Sequence, residues 1–347
     1  MPGRATSRSA AVDVVIGGLR VRIESRHPAL PLARLAATFR GFVDELHGRP
    51  HAWLRVEAVT PAAPGTRPRP LPPPIAAGLL AIGRRSGARP GGAGRLLRAR
   101  VAAHLRDDLL RARVGGMLAG AAVPVAFAWR AGAFFGDAAS SAGLLLVVRR
   151  GPGLQWPALV NAHAALLSLV ALGRGGLLLH GAAIAHRGGA VVFLGRSGTG
   201  KSTVSRRVPA AALGDDGVLV LPRRGGFAAF GTPLTQLPRT RARQALARQG
   251  LPLRALLLLR HARRDRLVPA GWSAALAETV GHHLHFLALV PPALAARALV
   301  NGARLFERVP SWRLGLARDG DVSRVLDRVG TARQEHDPRR GRQAPAG

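Results

Sequence analysis

The chain is 347 residues long, 48% apolar and free of cysteine, which leaves room for a catalytic domain beside a smaller one and excludes disulfides, thiol catalysis and Cys-based metal sites. Its formal charge is +33, yet arginine runs through every segment, tyrosine is absent and aromatics are 4%, so no stacking platform or recognition helix emerges and specific nucleic-acid binding is not expected. A uniform bias toward arginine accounts for that charge, its rival being a genuine polyanion-binding face. Met1 to Ala10 is polar, and the apolar stretches 114–129 and 157–173 fall short of spanning length. Neither a secretion signal nor a membrane span is expected, and the sequence reads as soluble and cytoplasmic.

In chain order, Ala11 to Glu24 predicts a hairpin about Gly17-Gly18, with alternating Leu19-Arg20-Val21-Arg22-Ile23 after the turn. Leu32, Leu35, Phe39, Phe42, Val43 and Leu46 recur at helical spacing and 51–59 returns as a strand, giving a small α+β region over residues 1–59. Thr60 to Gly94 holds eight prolines and no acidic residue, so a linker is expected over 60–95. Residues 96–113 read as a helix and 124–150 as strands around Gly132, with a loop from Gly136 to Gly143. Trp156, Leu159, Val160, His163, Leu167 and Val170 trace one face of a helix stopped by Gly173, and His163 on that face reads as a core histidine. A nucleotide-binding domain is expected over 96–330, and a disordered basic tail over 331–347, where Arg339-Arg340-Gly341-Arg342 lies.

Lys201 is the single lysine among 51 basic residues, and it sits in Gly195-Arg196-Ser197-Gly198-Thr199-Gly200-Lys201-Ser202, which fits the phosphate-loop pattern G-x-x-x-x-G-K-[ST] residue for residue. A slim ammonium fits between two phosphates where a planar guanidinium does not, which explains why arginine stops short of this one position. The apolar run 189–194 predicts a buried strand, and 202–208 a helix stopped by Pro209. Strand, glycine loop and helix in that order turn backbone N–H groups toward one spot suited to a di- or triphosphate. Mg-ATP is the expected ligand, with GTP less favoured: Gly195 to Thr203 cradle the phosphates, Lys201 bridges the terminal ones and the Ser202 hydroxyl ligates Mg2+. The Lys201 side chain is expected in an exposed loop, serving ligand phosphates only.

Gly214-Asp215-Asp216 follows closely, in a chain with only 18 acidic residues. No apolar run ends on a metal-binding acid: 256–259 runs into Arg260-His261, and 144–148 into Arg149-Arg150. Asp215 and Asp216 are therefore the residues to hold Mg2+ and to act as general base, the alternative being an ordinary polar turn before the strand 218–221. His282 and His285 share a face of a helix expected from Trp272 to Leu289, but Leu276, Val280, His283 and Leu287 make a stripe that explains His283 as packing, and zinc is not favoured. Arg239, Arg241 and Arg243 either neutralise transferring phosphate or are ordinary surface charge.

The phosphate loop, its short helix and the Gly-Asp-Asp turn are preceded by Leu177-Leu178-Leu179-His180-Gly181 and followed by a hairpin over 218–230 that leads to Gly231-Thr232-Pro233. This stretch, about residues 156 to 270, resembles the catalytic domain of HPr kinase/phosphorylase and its relatives. It is also similar to ATP-dependent phosphoenolpyruvate carboxykinase, which shares that fold. The resemblance implies an α/β phosphate-loop kinase domain with a mixed sheet, beside a small N-terminal α+β region. It implies Lys201 and Ser202 on nucleotide and metal, Asp215 and Asp216 supplying metal ligation and the base between them, with Asp215 a metal ligand, and His180 beside the aspartates. The implied reaction moves the ATP γ-phosphoryl to a hydroxyl, such as that of Ser, on a protein or peptide acceptor, with homo-oligomers compatible. Gln236 stands where relatives often carry Glu, and the C-terminal signature of the bifunctional enzyme has no match. A nucleotide-binding regulator without turnover, or a small-molecule phosphotransferase of the carboxykinase kind, are the alternatives.

Overall fold

The computed structural model describes residues 10–25, 32–44, 49–59, 108–129, 132–150, 153–154, 156–196, 198–238, 240–282, 284 and 291–335. The linker expected over 60–95, Ser197, Arg239, His283, His285 and the Arg339 to Arg342 cluster lie outside these residues. The chain divides into two units, Met1–Leu178 with His285–Val300, and Leu179–Leu284 with Asn301–Gly347. Both are mixed α/β with sheets of mixed strand direction. Among the described residues no helix is long and apolar enough to cross a membrane.

In the first unit β1 (Ala10–Ile16) and β2 (Leu19–Ser25) form the expected hairpin. Its turn needs left-handed backbone at two successive residues, and Gly17 and Gly18 supply it at φ 61° and 80°. Helix α1 (Leu32–Thr38) is shorter than its apolar spacing suggests. Gly41, at φ 84°, breaks the run, so Phe39 and Phe42 reach the core from turns and Val43 pairs with Val14 in the two-residue strand β3 (Val43–Asp44). Strand β4 (Ala52–Val59) lies parallel to β2, with Val21 opposite Ala52.

The boundary between the two units falls after Leu178. Helix α2 (Asp108–Gly120) and strands β5 (Pro124–Trp129), β6 (Gly132–Asp137), β7 (Ala142–Arg150) and β8 (Gly153–Leu154) belong with the N-terminal hairpin. The sheet order is β3-β1-β2-β4-β7-β6-β5, with β4 and β7 parallel from Trp53 opposite Ala142 to Val59 opposite Val148. Every residue of β6 is buried, so that strand carries no alternation to reveal its partners. Helix α3 (Trp156–Gly173) lies against β2, β4 and β7. It closes tightly on Gly143, where an added Cβ would stand 3.3 Å from Leu166 and 2.4 Å from the Phe134 ring.

In the second unit β9 (Leu177–His186) and β10 (Gly189–Leu194) form a hairpin, and α4 (Lys201–Arg207) follows the glycine loop. Next come β11 (Ala212–Gly214), β12 (Gly217–Arg223), β13 (Gly226–Gly231), α5 (Arg241–Gln249), β14 (Leu251–His261), β15 (Arg266–Pro269), α6 (Trp272–His282), α7 (Pro292–Arg308), which belongs to this unit only from Asn301 onward, β16 (Ser311–Leu316) and α8 (Val322–Glu335). Strands run in the order β10-β9-β12-β13-β14-β16-β15, and β10 also pairs with β14, which closes five of them into a ring. The parallel strands β10, β14 and β16 end on the same side, with Phe193 opposite Leu257 and Leu257 opposite Trp312. Val191, Phe193, Ala255, Leu257, Leu259, Leu314 and Leu316 share a core with Val204 of α4 and with Val322, Val325, Leu326 and Val329 of α8. That i, i+3, i+4, i+7 spacing holds α8 to the sheet, and the helix runs to Glu335, into the segment expected to be a disordered tail. Helix α6 is described to His282 and Leu284 bridges Leu179, while residues 285–289 of the expected helix lie outside the described residues.

Candidate functional site

The loop between β10 and α4 is shaped by positions that only glycine fits. A Cβ on Gly195 would fall 2.3 Å from Thr199 Oγ1, and Gly198 and Gly200 are left-handed at φ 84° and 99°. Within the loop the Thr199 hydroxyl donates to the Arg196 carbonyl at 2.8 Å and the Thr199 amide to the same oxygen at 3.2 Å.

Lys201, expected in an exposed loop, is buried at 6% exposure. Its ammonium donates to the carbonyls of Gly195 at 2.6 Å and Arg196 at 3.0 Å. An ammonium has three donors, so one is left for a further oxygen. Burial lowers the Lys201 pKa from the ordinary lysine value, and the charge of Asp216 opposes the shift. Ser202 is half-buried at the start of α4, while Arg196 and Thr203 are exposed. The buried Ser205 hydroxyl reaches the Gly214 carbonyl at 3.5 Å, linking this helix to the turn that carries the aspartates.

The two aspartates face different surroundings. Asp215 is 2% exposed; its Oδ1 accepts from the Thr235 hydroxyl at 2.6 Å and the Gln236 amide at 2.9 Å, whereas its buried Oδ2 has no protein partner. Asp216 is partly open, and its Oδ1 lies 2.8 Å from His180 Nδ1. The Asp216 carbonyl accepts from the Gly181 amide at 3.2 Å and stands 3.2 Å from the same ring nitrogen. The 232–236 segment wraps this turn: Thr232 donates to the Gly217 carbonyl at 2.9 Å, and the Gly217 amide donates to Leu234 at 2.9 Å. The structure thus gathers His180, Lys201, Ser202, Asp215 and Asp216 in one unit.

Arg243 is engaged by the protein's own backbone. It is buried, donating to Pro238 and, at 3.0 Å, to Pro209, while Arg241 is exposed at the first position of α5. Among the described residues no group of three or more His, Asp or Glu is placed to hold a metal. Two residues escape sequence reasoning. Thr235 lies two positions past Pro233 in a turn that was legible, and nothing in its spacing marks its hydroxyl for Asp215. His261 ends β14, the parallel neighbour of β10, and its exposed ring nitrogen Nε2 lies 2.8 Å from the Gly198 carbonyl.

Residues 158–329 match the family model described as ScmC, SynChlorMet cassette protein ScmC. The matched stretch, just under half of the chain, contains the glycine loop, both aspartates and His180. No curated protein matches the chain.

Proposed function

We propose that this protein binds a magnesium nucleotide, ATP before GTP, and transfers its γ-phosphoryl group to a hydroxyl of a protein or peptide acceptor, in the manner of HPr-kinase-like enzymes. The observation that carries the reading is a pair of incomplete groups in one unit: Lys201 is anchored by the loop's own carbonyls with one donor left, and the carboxylate oxygen Asp215 Oδ2 is buried without a partner. A buried orphan carboxylate oxygen is costly unless a cation or donor completes it. Mg2+ suits this site because it keeps several waters and takes one or two protein oxygens together with phosphate, so a larger protein cage is not required. Ser202 and Asp215 would hold it. When bound, the ion would neutralise charge on the transferring phosphoryl group.

The chain's own residues divide the remaining work. Lys201 directs its third donor to phosphate. Thr235 and the Gln236 amide fix the Asp215 carboxylate so that Oδ2 faces away from them. Asp216, oriented by His180, takes the proton of the acceptor hydroxyl as the oxygen attacks phosphorus and the bond to the leaving diphosphate breaks.

Lys201→Ala should abolish Mg-ATP binding in isothermal titration. Because the side chain is buried, Lys201→Met, which keeps the stem, controls for packing and should fail in the same way. Unchanged affinity and turnover in both variants would remove the basis for the reading. Gln236 favours a second one, a nucleotide-binding regulator, since its side chain is exposed and only its amide serves Asp215. Asp215→Asn with Asp216→Asn separates the two. An enzyme should keep nucleotide and lose phosphoryl transfer, or slow hydrolysis to water, by at least about a hundredfold. A regulator shows no turnover to lose.

A further inference from the structure

The geometry points to His261 as a positioning residue of the phosphate loop, a role that rests on the nucleotide-binding reading and adds a residue that reading does not use. Strand β14 pairs in parallel with β10, from Val191 opposite Ala255 to Leu194 opposite Leu258, so the residues ending β14 emerge beside the loop that follows β10. Ligands in sheets of this kind sit at the carboxyl ends of parallel strands. At that end the chain places His261 where an acid would be expected to serve a metal.

A carbonyl only accepts, so the contact from His261 Nε2 to the Gly198 oxygen at 2.8 Å requires a protonated Nε2. The amide of the same peptide unit, that of Thr199, donates to the Arg196 carbonyl at 3.2 Å. The plane of the Gly198–Thr199 peptide is therefore held at both ends, once from within the loop and once from the neighbouring strand. Gly198 is left-handed, the residue type with the most backbone freedom, so without the outer hold this peptide has the most to lose in order. A cradle of backbone N–H groups works only when its carbonyls point outward, and His261 rewards that orientation at the tip of the loop. Loss of the bond lowers the fraction of loops ready for phosphate, and the apparent affinity falls by the same factor.

The surroundings isolate this role from general folding. Asp265, four residues on, is occupied elsewhere, accepting from the Ala317 amide at 2.8 Å and the Asp321 amide at 3.2 Å. Arg260 is engaged by Glu278 at 3.0 Å. His261 itself is exposed, and its side chain bonds to the Gly198 carbonyl.

The test compares the full-length wild type with His261→Ala, His261→Gln and Lys201→Ala. Gln reaches as far as Nε2 and donates from a similar place. The expected result is a five- to tenfold weaker Mg-ATP affinity in His261→Ala, about the effect of one lost hydrogen bond, with recovery to within about twofold in His261→Gln. In the nucleotide-free proteins, hydrogen exchange at the Thr199 amide should quicken in His261→Ala and return toward wild type in His261→Gln, with the melting temperature unchanged. Wild-type affinity and exchange in His261→Ala overturn the inference. So do equal losses in Ala and Gln, or a weakening matched by a fall in melting temperature. If Lys201→Ala loses Mg-ATP while His261→Ala does not, only this inference falls. If the wild type binds no Mg-ATP, the nucleotide reading falls, and the exchange comparison still judges the hold of His261 on the loop.

Discussion

His163 in α3 is 1% exposed, its ring tilts against Phe39 with centroids 5.0 Å apart, and its Nε2 has no partner. Burial pushes its pKa down to about 3. In the unfolded chain the same imidazole binds a proton below about pH 6.5, so between pH 6.5 and about 3 the unfolded state holds more protons and stability falls as pH falls. The slope from this group is at most about 1.4 kcal/mol per pH unit. His163→Leu removes that contribution, so urea unfolding at pH 6.5 and pH 5 should show the variant gaining on wild type by up to about 2 kcal/mol. A constant gap between the two proteins would mean that His163 is charged or accessible in the native state. Asp13 has the acidic counterpart: burial alone would raise its pKa, but hydrogen bonds from Arg22 and Arg20 outweigh that and hold it below the usual carboxylate range. Its share of stability is present above the unfolded pKa and is lost as pH falls through the lower folded value, in wild type and variant alike. At this scale the sequence was informative. An unbroken apolar face around one histidine predicts a core histidine, and the lone lysine marked its loop. It was silent on Thr235 and His261, because a side chain that serves a distant backbone group leaves no local pattern.

Elements were legible where a turn residue enforced a local answer and illegible where pairing was long-range. The Gly17-Gly18 hairpin and the β12–β13 hairpin each bring sequence neighbours together. The parallel pairing of β4 with β7 joins strands separated by a long excursion, and nothing in Leu144 to Val148 specifies that partner. Helix α1 was overextended because Phe39 and Phe42 keep helical spacing across Gly41, whose left-handed backbone ends the helix regardless. Glycines also separate the element-scale predictions. A Cβ at Gly231 would lie 2.3 Å from the Leu213 carbonyl oxygen and 2.6 Å from Ala247 Cβ, so Gly231→Ala should destabilise by about 1–3 kcal/mol. Thr232 holds the turn after Asp216, so the same change should also weaken the phosphoryl transfer proposed for this site. Gly116 lies inside α2 with nothing within 4 Å of an added Cβ, and Gly116→Ala should stabilise by about 0.5–1 kcal/mol. A urea midpoint that rises for Gly231→Ala would show that the packing around β13 is not as tight as its backbone contacts indicate, and one that falls for Gly116→Ala would show that the added methyl is not accommodated in α2.

At the scale of the whole molecule the dominant quantity is the charge of +33, and the folded chain spends its few acids locally. Asp13 takes Arg20 and Arg22, Glu57 takes Arg113, Glu278 lies between Arg260 and Arg313, and Asp327 takes Arg187. Among the described residues these pairs are scattered along the chain, and in the sequence arginine runs through every segment. A charge spread in this way attracts polyanions over a Debye length of about 8–10 Å without arranging donors against base edges. Binding to duplex or single-stranded nucleic acid should therefore be sequence-blind and steeply salt-dependent, fading near physiological ionic strength. Fluorescence anisotropy of labelled oligonucleotides of differing sequence, titrated from about 50 to 200 mM salt, reads both properties. The Mg-ATP site proposed here is built from fixed donors rather than diffuse charge, so the affinity it confers should change far less over the same range. A sequence-specific complex that survives about 200 mM salt, or an ATP affinity that collapses in parallel with oligonucleotide binding, would mean that the arginines form a recognition surface and that the loop around Lys201 is one anion site among many.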